Sequence, residues 1–200
     1  MAKIWAFLVA LVLVAGGGMY WYMNRSECGA ALRQNAAMGI GGPLDLIDEN
    51  GKPVTDADMF QKPTLLYFGY TFCPDVCPLD NARNAEALDL LQAQGYDVQA
   101  AFVSIDPERD TPQVVAEFTD YLHPDMIGYT GTPEQIKAAS QAYKTYYAKQ
   151  VEGDPEYYLM DHTTFTYLVL PEIGFVEFFR RDDTPEEMAS RVACMIDAAR

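Results

Sequence analysis

Positive charge is scarce in this chain. Its 200 residues include 14 Lys and Arg against 29 Asp and Glu, a formal net charge of −15. Nucleic-acid binders draw affinity from Lys and Arg that neutralise phosphates, so that class is excluded. Polybasic attachment to a membrane surface is excluded on the same ground. Cysteine is also sparse, with four residues. That is too few for a disulfide-stapled miniature scaffold, so the core must be an ordinary apolar one. There is no internal repeat, no low-complexity tract and no Arg/Ser-rich transit peptide. What the chain does have is apolar and aromatic content of 50% and 12%, which rules out intrinsic disorder. Its length suits one domain, or one domain plus an anchor.

One long uncharged run is present. Ile4–Tyr22 is 19 residues without a charge, enough helix to span a hydrocarbon core of roughly 30 Å. Trp5 stands at one end and Tyr20, Trp21 and Tyr22 at the other, as in an aromatic belt, before Asn24 and Arg25 stop the run. A cleaved signal peptide is the rival reading, but Val14-Ala15-Gly16 is a poor cleavage site. Cys28 lacks the small-residue context of a lipoprotein signal. The expectation is an anchor at residues 1–25, a tether at 26–42 and an exported domain at 43–200. The place expected is the bacterial inner membrane, with the domain facing the periplasm.

From Pro43 onward the chain alternates strand-like and helix-like runs. Thr64–Phe68, Val98–Ile105, Phe165–Leu170 and Phe175–Phe179 read as strands, the last two joined by a hairpin turn at Pro171–Gly174. Thr111-Pro112, Thr132-Pro133 and Thr184-Pro185 each set a capping hydroxyl before a Pro at the first helical position. Gln135 and Glu187 complete capping boxes with Thr132 and Thr184. The expected helices are Leu79–Gln94, Pro112–Leu122, Pro133–Tyr147 and Pro185–Ala199. This order predicts an α/β class, and the thioredoxin-like fold is its commonest small form.

Cys73 and Cys77 follow a buried strand at a spacing of four, and Pro78 is expected to open the next helix. A thiol there faces unpaired amides and the positive end of the helix dipole, so the Cys77 pKa should fall. A structural disulfide is a weak alternative because it would close only a tiny loop. The C-x-x-x-C spacing still permits a redox disulfide, but it widens the bite and suits a metal. His162 lies 85 residues beyond Cys77, immediately before a strand. In a thioredoxin-like topology the loop before that strand comes close to the cysteine motif. Two thiolates and an imidazole form a soft set matched to Cu(I) and acceptable to Cu(II), whereas zinc usually takes a fourth ligand. Asp161 would then either orient the imidazole or cap a turn.

The chain resembles the Sco/SenC family of membrane-anchored copper proteins. The resemblance rests on Tyr67–Pro78 (YFGYTFCPDVCP), Ser104–Pro112 (SIDPERDTP), Gly128–Thr132 (GYTGT) and Asp161–Thr163 (DHT), which arrive in order between Pro43 and about Arg180. Leu79–Asn84 departs from the Thr- and Leu-rich helix start of that pattern. The resemblance implies a thioredoxin-like fold and copper held by Cys73, Cys77 and His162. It also implies delivery of the copper to the CuA site of cytochrome c oxidase subunit II. Other copper chaperones and thioredoxin-like reductants would be further partners. Such a protein binds and transfers metal and is not an enzyme in the strict sense. Some relatives act instead as thiol–disulfide reductases, with Cys73 and Cys77 as the redox pair. A peroxidase is less well matched, since Tyr70 stands where that chemistry wants Thr.

Other residues have plainer expectations. Asp106 and Pro107 should turn the chain after a strand, with Arg109 held by neighbouring acids. Met160 should pack in its loop, and His123 should close a helix end. Asp75, between the cysteines, is a candidate for tuning the thiolates. On a helical wheel Cys194 falls about 120° from the apolar face of the last helix. A Cys28–Cys194 disulfide and two free thiols are both open readings.

Overall fold

The structure, a computed structural model, describes residues 13, 15–18, 27–150 and 157–200. Residues 27–36, inside the span read as a tether, are helical (α1). There follow β1 (Asp45–Asp48), β2 (Pro53–Thr55), α2 (Asp56–Met59), β3 (Thr64–Gly69), α3 (Val76–Ala93), β4 (Gln99–Ser104), α4 (Pro112–Leu122) and β5 (Met126–Thr130). The chain then forms α5 (Pro133–Ala142), β6 (Tyr147–Lys149), β7 (Met160–His162), β8 (Thr166–Leu170), β9 (Gly174–Phe179) and α6 (Pro185–Ala199).

Seven strands form one sheet in the order β2-β1-β5-β4-β3-β8-β9. Strands β3, β4 and β5 are parallel, while β1, β8 and β9 join antiparallel. The continuous apolar run of β3 follows from this place, since it is central and every residue in it is buried. Leu65 packs with α3 and α6 on one face. Leu66, its neighbour in the strand, packs with residues of α5 and the β1–β2 hairpin on the other. Thr111, Thr132 and Thr184 cap α4, α5 and α6, as the Thr-Pro pairs predict.

Two expected boundaries are corrected. Helix α3 starts at Val76 with Asp75 as N-cap, so Pro78 lies at its third residue and does not open it. Helix α5 ends at Ala142, not Tyr147. Lys144 takes the left-handed conformation (φ 51°), and the Thr145 amide bonds back to the Ser140 carbonyl at 3.0 Å, which closes the helix. The residues freed by this stop become β6, which pairs with β7 to build a separate two-stranded sheet. That hairpin, which periodicity did not show, carries His162.

Cys28 and Cys194 are disulfide-bonded, with Cα atoms 6.0 Å apart. The bond ties α1 to α6, and Ala31 and Leu32 pack on the core beside it. Asn35 Nδ2 donates to the Val176 carbonyl at 2.8 Å, satisfying a backbone acceptor of the edge strand β9. The expected anchor at Ile4–Tyr22 lies largely outside the described residues. Among those described, no helix is long and apolar enough to cross a membrane.

Candidate metal centre

Strand β3 delivers the motif. Beyond its carboxyl end the chain turns through Tyr70–Asp75 into α3, which puts Cys73 on the turn and Cys77 in the first turn of the helix. The β6–β7 hairpin brings His162 to the same point. The Cys77 Sγ lies 3.4 Å from His162 Nε2. The ligand atoms of Cys73, Cys77 and His162 all fall within 4.8 Å of one another, the one such group of three or more among the described residues. A trigonal ion with bonds of about 2.0–2.3 Å separates its donors by about 3.5–4 Å, so the set fits one soft ion with little movement.

The imidazole is oriented from several sides. Its Nδ1 faces the Thr163 carbonyl at 2.9 Å, which can only accept, so Nδ1 carries the proton and Nε2 presents its lone pair. The rings of Tyr67 and Tyr70 meet the imidazole edge-on, with centroids 6.1 and 5.9 Å away. Asp161 takes neither of its expected roles. It accepts from Gln150 Nε2 at 2.7 Å across the hairpin, and the backbone carbonyl orients the ring instead.

The two thiols differ. Cys73 is pulled down to about 4, chiefly by a hydrogen bond from the Cys77 thiol. The Cys77 and Asp75 amides and the Tyr70 hydroxyl also donate to it, against the opposing effect of burial. Cys77 moves up, because its proton is committed to Cys73 and because it is fully buried. This corrects the expectation that the helix terminus would lower Cys77: the amide of Cys77 points at the Cys73 sulfur, 3.3 Å away. Between pH 5 and 8, above the lowered value, Cys73 is the thiolate and Cys77 the thiol. Iodoacetamide at pH 6 on the metal-free reduced chain is therefore expected to label Cys73 at least tenfold faster than Cys77. Equal rates, read by peptide mass mapping, would refute this asymmetry.

Close packing holds the site. A Cβ on Gly69 would lie 2.8 Å from the Tyr67 ring and 3.0 Å from both Cys77 Sγ and the Phe102 ring, so only glycine fits. Tyr67, whose hydroxyl is pushed up by burial, donates to buried Asp80 at 2.9 Å. Asn81 Nδ2 donates to the Cys77 carbonyl at 2.8 Å.

Sequence reasoning missed how the Asp106–Asp110 segment serves the motif. Asp106 binds Arg109, as expected. Fully buried Asp110 accepts from Thr71 Oγ1 at 2.6 Å, the Thr71 amide at 3.0 Å and Ser104 Oγ at 2.6 Å. It therefore anchors the loop that carries Cys73. The available signal was a buried-strand end, Ser104-Ile105, running into a dense run of acids. Met160 is buried in the core. His123 accepts from the Asp125 amide at 3.0 Å and closes the end of α4.

Comparison with known proteins extends these observations. A family model described as SCO1/SenC matches residues 33–197. Protein SenC of Rhodobacter capsulatus is 55% identical over 164 residues, 82% of this chain and 74% of that protein. A mitochondrial SCO1 homolog of Arabidopsis thaliana is 37% identical over 195 residues, covering 91% of this chain but 58% of the relative. Among solved structures, Arabidopsis thaliana ScoI with copper bound has a TM-score of 0.76 at 42% identity, covering 79% of this chain and 98% of that one. Bradyrhizobium japonicum ScoI with copper bound has a TM-score of 0.70 at 41% identity, covering 77% and 98%. The mixed α/β, thioredoxin-like Sco fold expected from the sequence is thereby shown for residues 33–197.

Proposed function

The chain belongs to the SCO1/SenC family, and from that premise we propose that it is a copper chaperone for cytochrome c oxidase. In this reading Cys73, Cys77 and His162 hold one copper ion as cargo and pass it to the CuA site of subunit II. The observation that carries the reading is the convergence of two sulfurs and one imidazole nitrogen within 4.8 Å. Relatives whose structures hold copper support it. The donor set is soft and three-fold, suited to Cu(I) and able to take Cu(II). Loading releases the proton of Cys77, since a coordinating thiol must be a thiolate. An incoming thiolate of the acceptor can join a three-coordinate ion before any ligand leaves, so transfer needs no free copper.

The thiol–disulfide reading also has specific support in the ionised Cys73 beside a protonated Cys77. The Cys73 thiolate would attack a partner disulfide, forming a mixed disulfide and releasing one partner thiolate. Cys77 would then lose its proton and attack the Cys73 sulfur, freeing the second partner thiolate and leaving a Cys73–Cys77 disulfide. Two electrons pass to the partner with the single proton that Cys77 releases, and the second partner thiolate takes any further proton from solvent. A thioredoxin-like reductant would restore the pair, and other copper chaperones would supply the metal.

For location we propose the bacterial inner membrane, with residues 1–25 as anchor, 26–42 as connecting segment and 43–200 as a domain in the periplasm. The uncharged run Ile4–Tyr22 supports this, as does a Cys28–Cys194 disulfide that suits an oxidising compartment. The test is a Cu(I) titration of the reduced, anaerobic full chain against a competing chelator. One tightly bound copper, weakened at least a hundredfold by His162→Ala or Cys73→Ala, is expected. Binding indifferent to His162→Ala, with a readily cycled Cys73–Cys77 disulfide, would replace the chaperone reading with the reductase one.

A further inference from the structure

The cysteines and the histidine reach the site on two separate pieces of chain, and one side chain joins those pieces. Arg109 leaves the loop after β4 and is largely buried, its side chain 13% exposed. Its Nε donates to Asp106 and its Nη1 to the Tyr158 carbonyl at 3.0 Å. The guanidinium lies 3.6 Å from the centroid of the Tyr158 ring and 4.7 Å from that of Phe72, with the Tyr70 ring at 5.8 Å. Tyr70 and Phe72 belong to the loop that carries Cys73. Tyr158 stands two residues before β7, which ends in His162. The Tyr158 hydroxyl donates to Asp106 Oδ1 at 2.7 Å, and Lys149 of β6 sits 3.5 Å from the same ring. The start of the His162 hairpin is thus clamped to the Cys73 loop through a planar cation among aromatic faces.

We infer that Arg109 is a positioning residue that sets the distance between His162 and the Cys73–Cys77 pair. It touches none of the three ligand atoms. Its effect passes through Tyr158 to the hairpin and through Phe72 and Tyr70 to the loop. A lysine in its place keeps the charge but loses the fork that binds Asp106 and the Tyr158 carbonyl together while stacking on the rings. The inference rests on the copper reading only for its consequence in metal binding, because the clamp is made by Arg109, Asp106, Tyr158, Tyr70 and Phe72 and by none of Cys73, Cys77 and His162.

The experiment has two arms, each applied to Arg109→Ala and Arg109→Lys in the full chain. The first is hydrogen–deuterium exchange of the metal-free protein. Amides of β6 and β7, and that of Thr163 just beyond β7, which bonds to the Tyr146 carbonyl at 2.9 Å, are expected to exchange at least tenfold faster, with α3 and α6 unchanged. The second is Cu(I) affinity by chelator competition. A 10- to 100-fold loss is expected, only partly recovered by lysine. His162→Ala should then cost less in the Arg109→Ala background than in the wild type. Unchanged exchange over the hairpin would overturn the inference, and so would an undiminished His162→Ala penalty in the double variant. If Arg109→Ala does not fold, the lysine variant decides by the same readouts. If the wild type shows no histidine-dependent copper binding, the copper reading fails and the exchange arm alone decides the positioning role.

Discussion

Cys194→Ser is expected to lower the unfolding free energy of the chain by about 5 kcal/mol. The bond to Cys28 spans 166 residues of sequence, and the loop-entropy cost it removes from the unfolded chain grows with that span, reaching about 5 kcal/mol for closures of this size. Loss of the bond also frees α1, which packs Ala31 and Leu32 on the core and satisfies the Val176 carbonyl through Asn35. Urea unfolding of the wild type and variant, with Cys73 and Cys77 reduced, reads the difference. Cys28→Ser should shift the midpoint by the same amount, since either change breaks one bond. A shift below 1 kcal/mol, or alkylation of both Cys28 and Cys194 in unreduced protein, would show that the bond does not constrain the chain in solution.

The second large effect is expected at Asp110. Its carboxylate accepts from the Thr71 amide, the Thr71 hydroxyl and the Ser104 hydroxyl, all at 3.0 Å or less. Asp110→Ala leaves three donors without an acceptor in a buried site, at roughly 1–3 kcal/mol each before the hydroxyls rotate, for a total of about 3–5 kcal/mol. Thr71 stands two residues before Cys73, so the same change should weaken copper binding without removing a ligand. Asp110→Asn keeps the shape and one acceptor oxygen, so it should cost about half as much. Burial raises the Asp110 carboxyl above its ordinary value. The folded state therefore holds this proton more tightly than the unfolded chain does. Its contribution to stability is greatest at low pH and falls as pH rises through the raised value. Unfolding free energies at pH 7 and copper competition on the same samples check both effects. An Asp110→Ala variant within 1 kcal/mol of wild type would remove the anchoring role.

The cysteine pair was legible because its chemistry is local. A buried strand, a turn and a helix start lie within a dozen consecutive residues, and each is marked by residue type. The caps at Thr111, Thr132 and Thr184 were legible for the same reason, since a hydroxyl before a proline acts within one helical turn. The end of α5 was not, because it depends on Lys144 adopting a left-handed backbone that its residue type does not favour. The hairpin that follows was hidden with it. Three-residue strands such as β6 and β7 are too short to show a period, so the element that carries His162 could not be seen even though His162 itself could.

The sequence by itself determined the candidate donor set, the starts of α4, α5 and α6, the buried central strand and, through ordered motifs, the family. These depend on residue type and on neighbours along the chain. Only the tertiary structure decided which cysteine holds the charge, because the Cys77 amide and thiol both turn toward Cys73. It alone chose between a Cys28–Cys194 bond and two free thiols. It also placed Arg109 against Tyr158 and Phe72, and Asp110 against Thr71 in the loop that carries Cys73. Those outcomes depend on groups between 4 and 166 residues apart that meet only when the sheet has formed, and no spacing along the chain encodes their distance in space.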